Sequence, residues 1–377
     1  MPLPTTTVWA APAHTRAKIE IVKQYLNAWF PIIGRYDKQL LYLDGFAGPG
    51  QYENGEDGSP LVAIASGLQY LSQPSSKRPS LLFLFVEQDE RRAKHLETLV
   101  SQRFPSIPQN LGWSVLHDSF EPVMGRILDD LDAEPGYRLI PTFLFIDPFG
   151  WSGVSMETIR RVLSYPKTEI LFTFMADSVN RFLEHPDHEK TFTTLFGGDN
   201  WRQALALREP TRTEAVLRCF VQSLQVVGGA RYILSFGMVN RMNKKEYYLV
   251  HGSNDDTLTA LGRMKQAMWK TAPSGDFTFH DRLAGQTRFW EGEPDYEDVR
   301  RLLTTKFRGT TVGWDEVRRF ILLETSYCDN HFNKHGLRVL EGKGDLDVTL
   351  TREAAKQTRK RGTYPKVLRP YLRFHFR

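Results

Sequence analysis

The chain has 377 residues, 41% hydrophobic and 25% charged, with a formal net charge of +5, which fits one large domain plus a small one, or two medium ones. Only Cys219 and Cys328 are present, far apart and without a CxxC partner, which argues against a disulfide scaffold, a zinc site or an iron–sulfur cluster. No stretch approaches about 18 consecutive apolar residues and the N-terminus lacks a charged head before an apolar run, so the expectation is a cytoplasmic protein with no membrane span.

Residues 1–13 are rich in Pro, Thr and Ala and are expected to form a flexible arm. From His14 to Ile33 the apolar residues Ile19, Val22, Tyr25, Leu26, Trp29 and Phe30 recur at helical spacing, and Pro31 with Gly34 brings the helix to its end. His14, Arg16 and Lys18 stand at its start, either as solvated helix-end charges or as a rim over a ligand.

The run Leu40–Leu43 then predicts a buried strand that ends in Asp44 and turns through Gly45, Phe46, Gly48 and Gly50. The spacing is not the dinucleotide GxGxxG, and no Lys-Ser/Thr follows as a phosphate loop needs. An acid with small residues, D-x-F-x-G-x-G, suits an S-adenosylmethionine (SAM) pocket at the carboxyl end of a strand. The glycines make room for the methionine end, and the acid engages its ammonium directly or through water. The simpler alternative is a glycine-rich turn that packs a helix against a strand.

Ser59-Pro60 starts a second helix. The next strand, Leu81–Val86, ends in Glu87, an acid placed to accept hydrogen bonds from both hydroxyls of a ribose. A third strand around Trp113–Leu116 leads into Asp118 and Phe120, which would lie near an adenine, although Asp118 is equally suited to cap a helix. The fourth strand, Thr142–Ile146, ends in Asp147-Pro148-Phe149-Gly150. Here Asp147 could accept a hydrogen bond from an exocyclic amine, and Phe149 could stack on a flipped-out base. The D-P-P-Y/F element of amino-methyltransferases does this job, but its second Pro is absent here. A turn fixed by Pro and Gly over a packed aromatic is the alternative.

After a helix (Met156–Leu163) and a fifth strand (Glu169–Met175), a helical cover is expected over about 176–228. His185 and His188 have a metal-like spacing, but Pro186 interrupts any shared helical face and no other ligand is near, so no metal site is expected. Arg231–Val239 and Glu246–Val250 predict an antiparallel hairpin, and Asp255–Lys270 a closing helix. Five parallel strands followed by a hairpin give an α/β fold with a Rossmann-like, seven-stranded sheet over 14–271. Class I SAM-dependent methyltransferases are built on such a sheet, and the acids fall at the tips of its first four strands.

Composition changes after Thr271. Residues 272–294 read as a linker. From Asp295 to Arg377 there are 18 Lys/Arg and 11 Asp/Glu, a net of +7, which leaves −2 for the rest. Three short helical segments (Asp295–Lys306, Trp314–Glu324, Tyr327–Leu340) and two alternating strands around a basic loop predict a winged-helix-like domain over 295–377. Asn333, Lys334 and Arg338 on the last helix, and Arg359, Lys360 and Arg361 in the loop, are candidates to bind DNA or RNA. Winged helices also serve protein contacts, which is the alternative.

Several strings resemble one family. They are His14-Thr15 with Lys18, Tyr42–Pro60, FVEQD around Glu87, Phe143–Val154, Pro166–Leu183, LFGG at Leu195–Gly198 and Met264–Lys270. Together they are similar to the three-Cys-motif partner proteins, TcmP, over roughly residues 14–271, and the basic terminal segment is in keeping. The resemblance implies a bacterial, class I methyltransferase-like protein encoded beside a radical-SAM-like protein with three cysteines, which would be its partner. The leading expectation is a SAM-dependent methyltransferase acting on a nucleic acid amine or ring nitrogen. The alternatives are a non-catalytic nucleotide- and nucleic-acid-binding accessory subunit of that partner and a metal-dependent nuclease recruiting the same acids.

Overall fold

The computed structural model describes residues 6–74, 78–134, 136–209, 211–272, 275–281, 293–354 and 357–377. Two compact units divide them, the first holding the described residues of 6–256 and 278–281, the second those of 257–277 and 293–377.

The first unit opens with helix α1 (Ala13–Ile33) and then alternates β1 (Gln39–Asp44), α2 (Ser59–Ser72), β2 (Ser80–Glu87), α3 (Glu90–Arg103), β3 (Leu111–His117), α4 (Phe120–Ala133), β4 (Thr142–Ile146), α5 (Met156–Leu163) and β5 (Thr168–Phe174). Helices α6 (Ala176–Phe182), α7 (Glu189–Phe196) and α8 (Thr211–Val226) follow, then the hairpin β6 (Tyr232–Val239) and β7 (Lys245–Ser253). The sheet order is β3-β2-β1-β4-β5-β7-β6, with β1 to β5 parallel and β7 antiparallel to both its neighbours.

Seven strands were expected and eight are present. After helix α9 (Thr259–Trp269) of the second unit, a three-residue strand β8 (Thr278–His280) pairs parallel to β6 at the edge. It lies inside the stretch read as a linker, most of whose remaining residues are outside those described. Three residues carry no periodicity, so nothing in the sequence announces such a strand.

β4 and β5 are buried along their whole length because helices cover both faces of the sheet, which is why they read as unbroken apolar runs. On one face Phe172 and Phe174 of β5 meet Phe220 of α8, with Phe174 and Phe220 stacked at 4.0 Å. On the other, Tyr25 of α1 packs on Phe143 of β4. A buried acid ties that helix down: Glu169 of β5 accepts from the Tyr25 hydroxyl, from the Trp29 indole at 3.2 Å, and lies 3.2 Å from the His251 ring of β7. The strand tips, and with them Asp44, Glu87, Asp118 and Asp147, all point to one edge.

The second unit contains α9, α10 (Tyr296–Phe307), β9 (Thr311–Gly313), α11 (Trp314–Glu324), α12 (Arg338–Lys343), β10 (Leu346–Leu350) and β11 (Leu372–Phe376). The strands form an antiparallel sheet in the order β10-β11-β9. The helix predicted over Tyr327–Leu340 is a π-helical turn, His331–Leu337, running into α12. Helix α9, read in sequence as closing the first domain, packs here: Lys265 donates to the carbonyls of Ile321, Thr325 and Tyr327 at the end of α11, and burial pushes its ammonium down to about 8.

The stacked pair of Phe174 and Phe220 predicts a large truncation effect. Phe220→Ala should lower stability by about 3–5 kcal/mol, read as a lower denaturation midpoint of the first unit. Arg160→Ala, on an exposed ion pair, should leave the midpoint nearly unchanged.

Candidate functional site

The turn after β1 is held from behind by two buried acids. Asp44 accepts from the Phe46 N–H at 3.2 Å and lies 3.4 Å from the Tyr42 hydroxyl. It is fully buried, and that burial pushes its carboxyl up to about 7, against hydrogen bonds from Ser59, Phe46 and Tyr42. Glu87 accepts from the Gly48 N–H and the Asp89 N–H, each at 2.9 Å, and burial raises it as well. Both acids therefore brace the loop. Gly48 and Gly50 take positive φ (62° and 81°), a conformation that L side chains rarely adopt. Gly45 is required for a different reason: a Cβ there would stand 2.5 Å from the Phe120 ring.

In front of this loop lies a cavity of about 240 Å³. Phe46, Gly48 and Gly50 line it, as do Asp147, Pro148 and Phe149. Asp44 does not line it; the acid read as engaging an ammonium directly or through water stands behind the loop. The strongest polar contact in the cavity was not in the sequence-derived site. Lys18 of α1, itself buried, donates to both oxygens of Asp147 at 2.6 and 2.5 Å. That ammonium also lies 5.5 Å from the Tyr247 ring centroid.

His14, one turn before Lys18, lines the same wall. Its ring lies 3.9 Å from Glu246 and 4.0 Å from Asp281, and burial lowers its pKa despite those acids. The Tyr247 hydroxyl donates to the His14 carbonyl at 3.2 Å. Trp9, from the arm, and Tyr52 complete the wall, with Trp9 edge-on to Phe149 at 5.3 Å and to Tyr52 at 6.1 Å. The spacing of His14 and Lys18 was the one sequence signal for this wall. Trp9 and Tyr52 sit in irregular segments where periodicity says nothing.

A second, much smaller cavity of about 20 Å³ lies at the tips of β2 and β3. Gly45, Phe46, Glu87, Arg92, Asp118, Phe120 and Phe149 line it, so Phe46 and Phe149 face both spaces. Phe120 is buried against Gly45 and Phe46. Asp118 is held below the usual carboxylate range by Arg126 and the Ser119 N–H. The structure thus gathers the predicted cofactor residues at one sheet edge, where all but Asp44 line one or other of two spaces.

Among the described residues, no three His, Cys, Asp or Glu side chains are grouped as a metal site would need. The His185 and His188 rings lie tilted against each other at 5.2 Å, and His188 also packs against Trp151 and Phe182. No helix of the described residues is long and apolar enough to cross a membrane.

In the second unit the six candidate residues divide. Lys334, Arg338 and Lys360 are exposed, and Asn333 is half-buried. Arg359 forms an inward ion pair with Glu341, and the Arg361 guanidinium donates to the Glu341 carbonyl. Glu341 also accepts from the Gly362 N–H at 2.8 Å and the Tyr364 hydroxyl at 2.9 Å. Burial works against its charge, yet Arg359 and these donors hold its carboxyl below the usual range.

Neither a known protein-family model nor a curated protein sequence matches the chain. Among solved structures it is similar to Trm1 from Pyrococcus horikoshii in complex with S-adenosyl-L-methionine, at 14% identity and a TM-score of 0.36, over 67% of this chain and 57% of that one. It is similar too to the DszA carbon methyltransferase (11%, TM-score 0.35, 63% and 54%) and to SAH-bound methyltransferase PaMTH1 from Podospora anserina (10%, TM-score 0.27, 60% and 76%). The chain thus spans a little over half the length of the first two. The fold itself is read from this chain's own strand order and pairing: an α/β fold with a large mixed sheet.

Asp44 binds its proton more tightly folded than unfolded, so its contribution to stability is complete below about pH 4 and is lost as pH rises through about 7. Asp44→Asn should remove this slope. Between pH 4 and 8 the variant should gain on the order of 3–4 kcal/mol relative to the parent in urea unfolding.

Proposed function

We propose that the chain is a SAM-dependent methyltransferase of the three-Cys-motif partner (TcmP) kind, acting on an amine or ring nitrogen of a nucleic acid. One observation carries this reading. The tips of four adjacent parallel strands, in a sheet where β7 runs antiparallel to both its neighbours, carry acids at one edge, and three of these, Glu87, Asp118 and Asp147, line a pair of cavities there.

SAM supplies an electrophilic methyl group when bound. Gly48 and Gly50 would leave room for its methionine end, because a Cβ at Gly48 would project towards Trp9, 3.7 Å away on the cavity wall. Glu87 would take the ribose, with Asp118 at the adenine edge. Phe120 would support that edge only through Phe46, on which it packs. Asp147 would orient the acceptor amine. Lys18 takes one direction on each oxygen, and a carboxylate has lone pairs left to accept from a second donor. Phe149 would lie against the target base. Methyl transfer to an amine needs alignment and a place for the departing proton, so no nucleophilic side chain enters.

The second unit has the order helix, strand, helix, helix, strand, strand after α9, which supports reading it as a winged helix. Lys334, Arg338 and Lys360 would meet phosphates, while Arg359 and Arg361 hold the loop that carries Lys360. A cytoplasmic chain acting with a radical-SAM-like protein of three cysteines completes the proposal. The ion pair of Lys18 with Asp147 favours one second reading: a subunit that binds a nucleotide and nucleic acid for that partner without transferring a methyl group itself.

Calorimetry with SAM should show binding that Glu87→Ala weakens at least tenfold. Methyl incorporation from labelled SAM into total bacterial RNA or DNA should fall at least a hundredfold in Asp147→Asn with SAM affinity kept. Binding without incorporation would leave the accessory reading, and no binding would remove both. Single Ala substitutions at Lys334, Arg338 and Lys360 should each reduce the slope of log affinity against log salt by about one.

A further inference from the structure

The nucleoside corner of the site is occupied by the protein's own side chains. Arg92 of α3 and Glu87 are both at least nineteen-twentieths buried, with a guanidinium nitrogen 3.9 Å from the carboxylate. The guanidinium lies 5.2 Å from the Trp9 ring centroid and 5.8 Å from that of Phe149. Trp9 and Phe149 touch edge-to-face above it, and Phe149 stands at the boundary of the two cavities.

The arm is fixed in this position. The Trp9 carbonyl accepts from the Glu53 N–H at 2.9 Å, the Ala11 carbonyl accepts from Arg16 at 3.3 Å, and Arg16 in turn lies 3.5 Å from Glu56. The space left is small. The main cavity of about 240 Å³ falls below the roughly 300–1,000 Å³ typical of small-molecule sites, and the corner at Glu87 holds about 20 Å³.

We propose that Trp9 and Arg92 set the affinity of this site by competing for the place of a purine nucleoside: Arg92 holds Glu87, Trp9 holds Arg92 against Phe149, and the ligand enters only when both withdraw. The inference rests on the reading of the corner as a nucleoside site. A cation–aromatic contact and an edge-to-face ring pair are each modest attractions. Apparent affinity is the intrinsic affinity multiplied by the fraction of molecules in which the corner is open. Removing either competitor raises that fraction.

The test is calorimetry of the full chain with S-adenosylhomocysteine and with adenosine, for the parent, Trp9→Ala and Arg92→Met, with hydrogen exchange of peptides spanning residues 6–12. Both variants should bind about tenfold more tightly, for adenosine as well as for the whole cofactor product. In the parent, saturating S-adenosylhomocysteine should speed exchange in the arm. Trp9→Ala guards against an Arg92→Met variant that fails to fold. Unchanged or weaker binding by Trp9→Ala, or an arm whose exchange is unchanged when the parent binds, would overturn the competition and leave the cofactor reading standing. Absence of binding by all three chains would overturn both.

Discussion

The site depends on the ion pair between Lys18 and Asp147. It joins the second turn of a helix to the tip of β4, two segments separated by 129 positions in sequence. A buried ammonium or carboxylate is unfavourable alone, and each makes the other tolerable only at close range and with good geometry. The two chain segments must therefore meet closely, and this fixes the opening of the cavity between them. His14 and Tyr247 are placed by the same meeting, one on each side. The cavity is thus shaped by a helix outside the sheet as much as by the strand tips.

The rest of the edge follows a similar logic, in which charged groups are used internally before any ligand arrives. Asp44 and Glu87 satisfy backbone N–H groups of the loops they adjoin. Arg92 covers Glu87, and Lys18 covers Asp147. A site built this way is ordered through contacts within the chain. The consequence is that binding exchanges internal partners for external ones, so affinity measures a difference between two sets of contacts.

Much of the fold was legible in sequence because parallel strands covered on both faces must be apolar throughout. Thr142–Ile146 shows this; Leu81–Val86 is as apolar although Leu82 is exposed, and each run is followed by an acid that marks the carboxyl end. The alternation of such runs with helical stretches gave the five parallel strands, and the short polar turn gave the hairpin. β8 and β9 have three residues each, too few for any period to register. The site was harder. Acids at strand tips could be named, but whether a carboxylate faces inwards or outwards depends on donors brought in from elsewhere: Tyr42 for Asp44, Lys18 for Asp147, Arg92 for Glu87. The same limit applied to Arg359, whose partner Glu341 is 18 positions away. Charge counting sees a basic loop there, and packing takes two of its arginines to build the loop itself.

Helix α1 is held at both levels of the sheet. Glu169 grips Tyr25 and Trp29 midway along it, and Asp147 grips Lys18 near its start. Its first free N–H groups, those of Thr15 and Arg16, bond to the Pro12 carbonyl. The helix is therefore a fixed post, and Pro12, whose ring locks its own φ, is the point where the post stops. Any displacement of Trp9 is a swing of a short stub about that point. Such a swing breaks no hydrogen bond of the helix; among the described residues the backbone bond it costs is that from the Glu53 N–H to the Trp9 carbonyl.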